Sequence, residues 1–313
     1  MKHAVVAIGA ANVDIQGFTE QSLRMRDSNP GRIEICLGGV SRNISENLVR
    51  LGVDTILLTA IGDDLFGRQI LSDCSRMGID LSHSMKVKEA RSSTYMAVMD
   101  ETGDMALALS DMSILDQLTT GYLSEKRELL ENAQIIVMDA GLTPEVMAWL
   151  VKHFPGKRMI LDPVSTGKCR RMKSFAGDFY CIKMNRMEAG FLADSTIDNH
   201  QDLTRAADRL LHRGVKKLFI TLGREGVYYR GPDEEGLANA PVLKTVNATG
   251  AGDAFTAAVV YGELQNWSMA DTARFAVGAA SVALMSRHTV SGEMSPSEVN
   301  KWMKQSGKRG ENQ

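Results

Sequence analysis

At 313 residues the chain suits one large α/β domain that buries enough surface to need neither a disulfide nor a metal staple. Its 44% hydrophobic and 24% charged residues exclude disorder, and a formal charge of -2, from 36 basic and 38 acidic side chains, excludes a global field for nucleic acid polymers or anionic membranes. The four cysteines form no C-x-x-C pair, no histidine cluster has zinc-ligand spacing, and no export signal or membrane-length apolar run is present, so a cytoplasmic protein with free thiols is expected.

In chain order, the apolar run Val5–Ile8 reads as a buried parallel strand. It leads into Gly9-Ala10-Ala11-Asn12-Val13-Asp14, which lacks the third glycine of the dinucleotide fingerprint and continues as an extended segment. That excludes a nicotinamide-binding βαβ turn. Asn12 and Asp14 alternate onto one face at strand spacing, where they could receive sugar hydroxyls. Gly38 and Gly39 precede a helix over 41–51, whose Ile44, Leu48 and Leu51 share one face and whose first turn presents Asn43. A strand is expected over 55–61, then a helix over 65–77 with Gly78 as its stop. Further strands are expected at 135–138, 159–161 and 218–222, with a helix over 203–211. Alternation of this kind predicts a doubly wound, mainly parallel sheet flanked by helices.

Two regions break the rhythm. Residues 13–37 and 91–109 read as extended, the second as a hairpin about residues 100–104. Such pieces would form a small β lid across the carboxyl ends of the main strands, where open α/β sheets bind ligands. The reading is therefore one domain over residues 1–304 carrying that lid, with a flexible tail over 305–313. The lone methionines, 18 in all, read as core filling.

The chemistry concentrates in Asn247-Ala248-Thr249-Gly250-Ala251-Gly252-Asp253. A strand-like stretch over 242–246 runs into this string, and a helix follows it. Gly250 and Gly252 permit a tight turn whose amides face outward at a helix N-terminus, a ready phosphoryl site with Asp253 beside it. An Asp in a first turn is more often only a cap. No Walker A loop competes, because Thr166-Gly167-Lys168 lacks the upstream glycine.

Asn12 and Asp14, Gly38-Gly39 with Asn43, Lys183-Met184-Asn185-Arg186-Met187-Glu188, Thr221-Leu222-Gly223-Arg224-Glu225-Gly226 and residues 249–253 occur in the order seen in ribokinase-like kinases. Along its whole length the chain resembles that ribokinase (PfkB) family. The resemblance implies an ATP-dependent kinase for a sugar or nucleoside, with Asp253 as base and Gly250, Ala251 and Gly252 as anion hole. It implies further that Asn185 and Glu188 organise the Mg²⁺-phosphate end of ATP, Glu188 indirectly. Thr221, Gly223 and Gly226 would hold the nucleotide. Gly38, Gly39, Asn43 and Asp139, with Asn12 and Asp14, would contact the acceptor. Asn247 stands where many relatives carry Asp, so K⁺ enters only as a candidate, held at Asn247 and Thr249. A catalytically dead sugar sensor would show damage in residues 250–253, and they are intact.

Asp27-Ser28-Asn29-Pro30-Gly31, Asp162-Pro163-Val164-Ser165-Thr166-Gly167-Lys168 and Arg91-Ser92-Ser93-Thr94-Tyr95 resemble the pseudouridine kinase branch of the family. On that resemblance Asn29 and Thr94 lie over the acceptor and Lys168 near the phosphates; as plain chemistry, Asn-Pro-Gly is also a common turn and Lys168 a solvated charge. Other sugars and nucleosides stay open as acceptors. A homodimer joined through the β lid is the partner expected.

Overall fold

The computed structural model describes residues 4–306. In chain order its strands are β1 Val5–Ile8, β2 Asn12–Thr19, β3 Gly31–Gly38, β4 Thr55–Leu58, β5 Ala60–Gly62, β6 Met85–Val87 and β7 Thr94–Met99. They continue as β8 Met105–Asp111, β9 Ile135–Asp139, β10 Arg158–Asp162, β11 Cys181–Asn185, β12 Lys217–Thr221, β13 Val227–Arg230 and β14 Glu235–Ala238. The α-helices are α1 Val40–Arg50, α2 Leu65–Arg76, α3 Thr120–Glu125, α4 Arg127–Asn132, α5 Pro144–His153 and α6 Thr166–Cys169. After them come α7 Arg186–Leu192, α8 His200–His212, α9 Ala251–Leu264, α10 Met269–Leu284 and α11 Pro296–Ser306.

The main sheet runs β14-β13-β12-β11-β10-β9-β1-β4. It is parallel from β4 to β12 and ends in an antiparallel hairpin, β13 and β14. Both faces are covered, which is why its strands are continuous apolar runs. In β1, Val5 and Ala7 pack with α1, α2, α9 and α10, while Val6 and Ile8 join the opposite core with α5, α7 and α8. Each fully buried aliphatic side chain here contributes roughly 1.5–3 kcal/mol, more than any surface ion pair on the molecule.

The expected strands at 135–138, 159–161 and 218–222 form within one residue of their expected ends, and helices α1, α2 and α8 fall where the periodicity puts them. The expected strand over 55–61 is two strands in two sheets. After Leu58 the Ser84 hydroxyl takes over the ladder, donating to Leu57 O at 2.6 Å and accepting from Thr59 N at 3.2 Å, and β5 then pairs with β6. The stretch 242–246 is no strand. Its Val242 and Val246 are exposed, and it is tied through Val246 N to Leu284 O at 2.8 Å. Helix α11 takes in Gln305 and Ser306 from the expected tail, whose residues 307–313 lie outside the described residues.

The two extended regions do meet as a second sheet, ordered β3-β2-β7-β8. The turn between β7 and β8 is held by the Asp100 carboxylate, which accepts from Thr102 N at 2.9 Å and Asp104 N at 3.0 Å, with Gly103 at φ 87. Direct pairing places Ile35, Ile15, Met96 and Leu109 in one row and Ile33, Gly17, Val98 and Leu107 in the next, all on one side. Asp14, Cys36, Tyr95 and Ser110 form a row on the other side. The lid thus has an apolar face and a polar one. Among the described residues no helix is long and apolar enough to cross a membrane.

Candidate functional site

The carboxyl ends of β1, β9, β10, β11 and β12 carry Gly9, Asp139, Asp162, Asn185 and Thr221, and α1 and α9 start above them. That edge is where a doubly wound sheet opens its crevice. Helix α9 begins at Gly250, whose φ of 84 is left-handed and whose Cβ, were there one, would stand 1.9 Å from Thr289 O. Only glycine fits there. No side chain caps this terminus, so the first-turn amides of Ala251, Gly252 and Asp253 are turned to whatever anion enters. Helix α1 starts from Gly39 at φ 99, backed against Ala10 O, but there Ser41 N and Arg42 N already donate to Asp139 Oδ2 and Ala10 O.

Asp253 lies half-buried in the first turn of α9 and accepts from Asn43 Nδ2 at 2.7 Å, across 210 positions of sequence. Burial, then the neighbouring Asp162 and Asp139 charges, push its carboxyl from 3.8 up to about 7, against the pull of the Asn43 amide and the Lys183 ammonium. It is a carboxylate poised to exchange a proton at neutral pH.

Beneath Gly252 lies a charge network that the motifs did not assign. Lys183, 8% exposed, contacts Asp162 Oδ2 at 3.2 Å; the same oxygen accepts from Thr256 Oγ1 at 2.8 Å, and Asp162 Oδ1 accepts from Val164 N at 3.0 Å. Burial opposes the Lys183 charge, but Asp162, Asp253 and Glu188 outweigh it and hold the ammonium above its usual value. The signal was visible: a lysine inside the apolar strand Cys181–Asn185 must have a buried partner.

Beside this turn opens a cavity of about 510 Å³. Thr221, Gly223, Gly226, Ala251 and Gly252 line it, as expected of a nucleotide site, and Val242, Leu243, Phe255, Val277 and Leu284 supply apolar walls. Apart from Phe255, on α9 just after the glycine turn, this group was missed because it comes from an irregular segment and from the second half of α10, neither of which carries a motif.

Several expected site residues sit elsewhere or are already engaged. Asp139, expected to touch the acceptor, is fully buried. Its carboxylate accepts from Ala10 N at 2.9 Å, Ser41 N at 3.2 Å, Ser41 Oγ at 2.6 Å and Gly141 N at 2.7 Å. It ties the turns after β1 and before α1 to β9 and has no edge left for a ligand. The Asn29 amide closes its own loop, accepting from Arg24 N at 2.8 Å and donating to Arg24 O at 3.0 Å and Asp27 O at 3.1 Å, which is the turn chemistry of Asn-Pro-Gly. Thr94 Oγ1 donates to Ser92 O at 3.1 Å at the start of β7. Lys168 ends the short helix α6 and does not line the cavity.

Asn185 and Glu188 form a capping box: Asn185 Oδ1 accepts from Glu188 N at 2.9 Å, and Glu188 Oε2 accepts from Asn185 N at 2.8 Å. Burial raises the Glu188 carboxyl above its ordinary value, Asn185 N opposing and Asp162 adding to the rise. Asn12 Nδ2 donates to Asp14 beside Gly38 at the root of the lid. Burial raises Asp14 as well, opposed by Asn12 and by Arg42. Asn247 pins the loop before α9, accepting from Thr249 N at 2.9 Å and donating to Arg287 O at 3.3 Å. Among the described residues no three His, Cys, Asp or Glu side chains cluster to cage a metal ion.

A family model described as pfkB family carbohydrate kinase matches residues 2–295. The chain is 33% identical over 299 residues to the pseudouridine kinase of Escherichia coli (strain K12), covering 95% of this chain and 96% of that one. A Clostridium perfringens structure described as that of a sugar kinase is similar with a TM-score of 0.88 at 35% identity, covering 96% of each chain. The ribokinase of Arabidopsis thaliana complexed with ribose and ATP shares the fold, with a TM-score of 0.80 at 19% identity over 97% of this chain and 99% of that one. The α/β fold with its small β lid is thus ribokinase-like.

The raised Asp253 carboxyl has a consequence for stability. Between the ordinary 3.8 and about 7 the folded state holds a proton that the unfolded chain has lost, so stability falls as pH rises through that window and is lowest above it. Asp253→Asn should therefore gain on the wild type as pH rises, its melting temperature exceeding the wild type's by several degrees more at pH 8 than at pH 5. Equal differences at the two pH values, measured by calorimetry, would contradict this environment for Asp253.

Proposed function

The chain belongs to the PfkB family of carbohydrate kinases, ATP-dependent phosphotransferases acting on sugars or nucleosides, and from that premise we propose that it phosphorylates the 5′-hydroxyl of pseudouridine. The observation that carries the chemistry is the meeting of one proton-accepting carboxyl, Asp253, with the uncapped amides of α9 at the edge of the cavity. The acceptor rests on the 33% identity to a pseudouridine kinase over nearly the full length of both chains, together with the local strings at 27–31, 91–95 and 162–168.

In this reading ATP lies in the cavity between Thr221, Gly223 and Gly226 and the apolar wall, with its γ-phosphoryl group at Gly250, Ala251 and Gly252. The acceptor lies under the polar face of the lid, against Asp14 and Asn12. Asp253 takes the hydroxyl proton as the oxygen bonds to the γ-phosphorus, and the bond to the β-phosphate oxygen breaks to release ADP. Amides of α9 face the charge that builds on the phosphoryl oxygens. Asn185 and Glu188 would help hold the Mg²⁺ that accompanies ATP, whose charge would neutralise that of the phosphates. Pocket shape and the lid exclude competing water.

The apolar face of the lid supports a homodimer. Ile33 is 72% exposed and Leu109 62%, and both continue upward from the buried Val13 and Leu37. A single self-complementary patch of this kind closes with a second copy about a two-fold axis. Light scattering should give a dimer at micromolar concentration, and Leu109→Glu should give a folded monomer; a wild-type monomer would end this reading.

Two kinetic outcomes test the rest. With Mg-ATP, pseudouridine should be turned over with a far higher kcat/KM than uridine, ribose or fructose, and equal rates on ribose would remove it as the acceptor. Asp253→Asn should lower kcat by about 10²–10⁴-fold with ATP binding nearly unchanged. Retention of most activity in that variant would sink the assignment of the base.

A further inference from the structure

Arg42 is buried, with 3% of its surface exposed, in the first turn of α1. A guanidinium is rarely hidden without a purpose, because its desolvation must be met by several well-placed acceptors. Nη1 donates to Glu46 Oε2 at 2.6 Å, and Nη2 donates both to Leu37 O at 3.2 Å and to Asn43 Oδ1 at 2.6 Å. Nε finds no partner. Glu46 is held in turn from the other side by Arg50, at 2.9 Å from Nε and 2.8 Å from Nη2.

The bond to Asn43 Oδ1 has a directional effect. An amide side chain presents an oxygen at one edge and an NH₂ at the other, and its two flips are nearly equal in shape. With its oxygen on Arg42, Asn43 must present Nδ2 to Asp253, and it does, at 2.7 Å. Flipped, the oxygen would face the carboxylate and repel it. The same guanidinium lies close enough to Asp14 to favour that carboxylate's charge. One buried cation therefore reaches the residue read as the base through Asn43 and acts directly on the charge of a residue read as an acceptor contact.

We propose that Arg42 is a positioning residue of the phosphotransfer site: by clamping the oxygen of Asn43 it fixes the amide donor that orients Asp253, and Glu46 and Arg50 hold the clamp. This rests on the reading of Asp253 as the base. Arg42 itself stays behind α1 and touches no reacting atom. Besides Asn43, the groups facing Asp253 are Asp162 and Asp139 from the neighbouring strands and Lys183 beneath it, and none of them depends on Arg42 for a hydrogen bond.

Arg42→Lys tests this, since lysine keeps the charge but cannot serve Glu46, Leu37 O and Asn43 in one fork. The readouts are kcat/KM against pH on the fastest acceptor, KM for ATP, and a double-mutant cycle with Asn43→Ala. Arg42→Lys should lower kcat about 10- to 100-fold, move the acid limb of the profile to higher pH, and leave KM for ATP within about twofold of the wild type. The double variant should be no worse than Asn43→Ala alone, because both act along one path. A wild-type pH profile in Arg42→Lys, or losses that multiply in the double variant, would overturn the proposal. Asp253→Asn is run in parallel: if it stays active, the reading of the base falls and takes this proposal with it, whereas an inactive Asp253→Asn beside a normal Arg42→Lys sinks the clamp alone. Should Arg42→Lys fail to fold, Arg42→Gln, which keeps a donor and drops the charge, enters the same cycle, where a shifted acid limb supports the clamp and an unshifted one overturns it.

Discussion

A carboxylate at the positive end of a helix should be comfortable, and Asp253 is not. Its place in the first turn of α9 favours charge, yet burial beside Asp162 and Asp139 lifts its carboxyl to about 7. The two tendencies are in balance, and the balance makes the group useful. A freely ionised Asp would be too weak a base, and one buried without Asn43 and Lys183 would hold its proton at neutral pH. Most of the features near the site serve that balance: Gly250 turns the chain sharply enough to bring the carboxyl in, Asn43 reaches it from α1, and the Lys183–Asp162–Thr256 network supplies one positive charge below.

The sheet explains why distant residues can be held to such tolerances. Asn43 and Asp253 are 210 positions apart but stand on helices that pack against the same face. Asp139 fixes one of those helices to the sheet through Ser41. A buried carboxylate that accepts four hydrogen bonds is costly to dislodge, so α1 cannot drift relative to β9. Its work is architectural, and the active geometry inherits its rigidity.

The βαβ succession was legible because a parallel sheet covered on both faces writes its strands as unbroken apolar runs, as at 135–138 and 218–222. The second sheet was legible because 13–37 and 91–109 lack helical periodicity. What failed had local causes. The stretch 242–246 has strand-like residues but no neighbour to pair with, and Thr59 ends β4 through a side chain 25 residues away, which no window of sequence contains. In the site, the turn at Gly250 and the loop at Gly223 and Gly226 were readable because glycine marks left-handed backbone that other residues seldom adopt. Asp139 and Asn29 were less legible for the opposite reason. A polar side chain advertises hydrogen-bonding capacity, and only the fold reveals that the backbone nearby has already used it.

The two main sheets of this molecule differ in how firmly they are held. The Asn43–Asp253 bond joins helices α1 and α9, both anchored in the larger core. The polar face of the lid belongs to a separate four-stranded sheet with few buried side chains beyond Val13, Leu37 and Ala97. A sheet so thinly packed on itself draws its order from what covers it. It is the more adaptable of the two layers, and the core that carries α1 and α9 is the stiffer one.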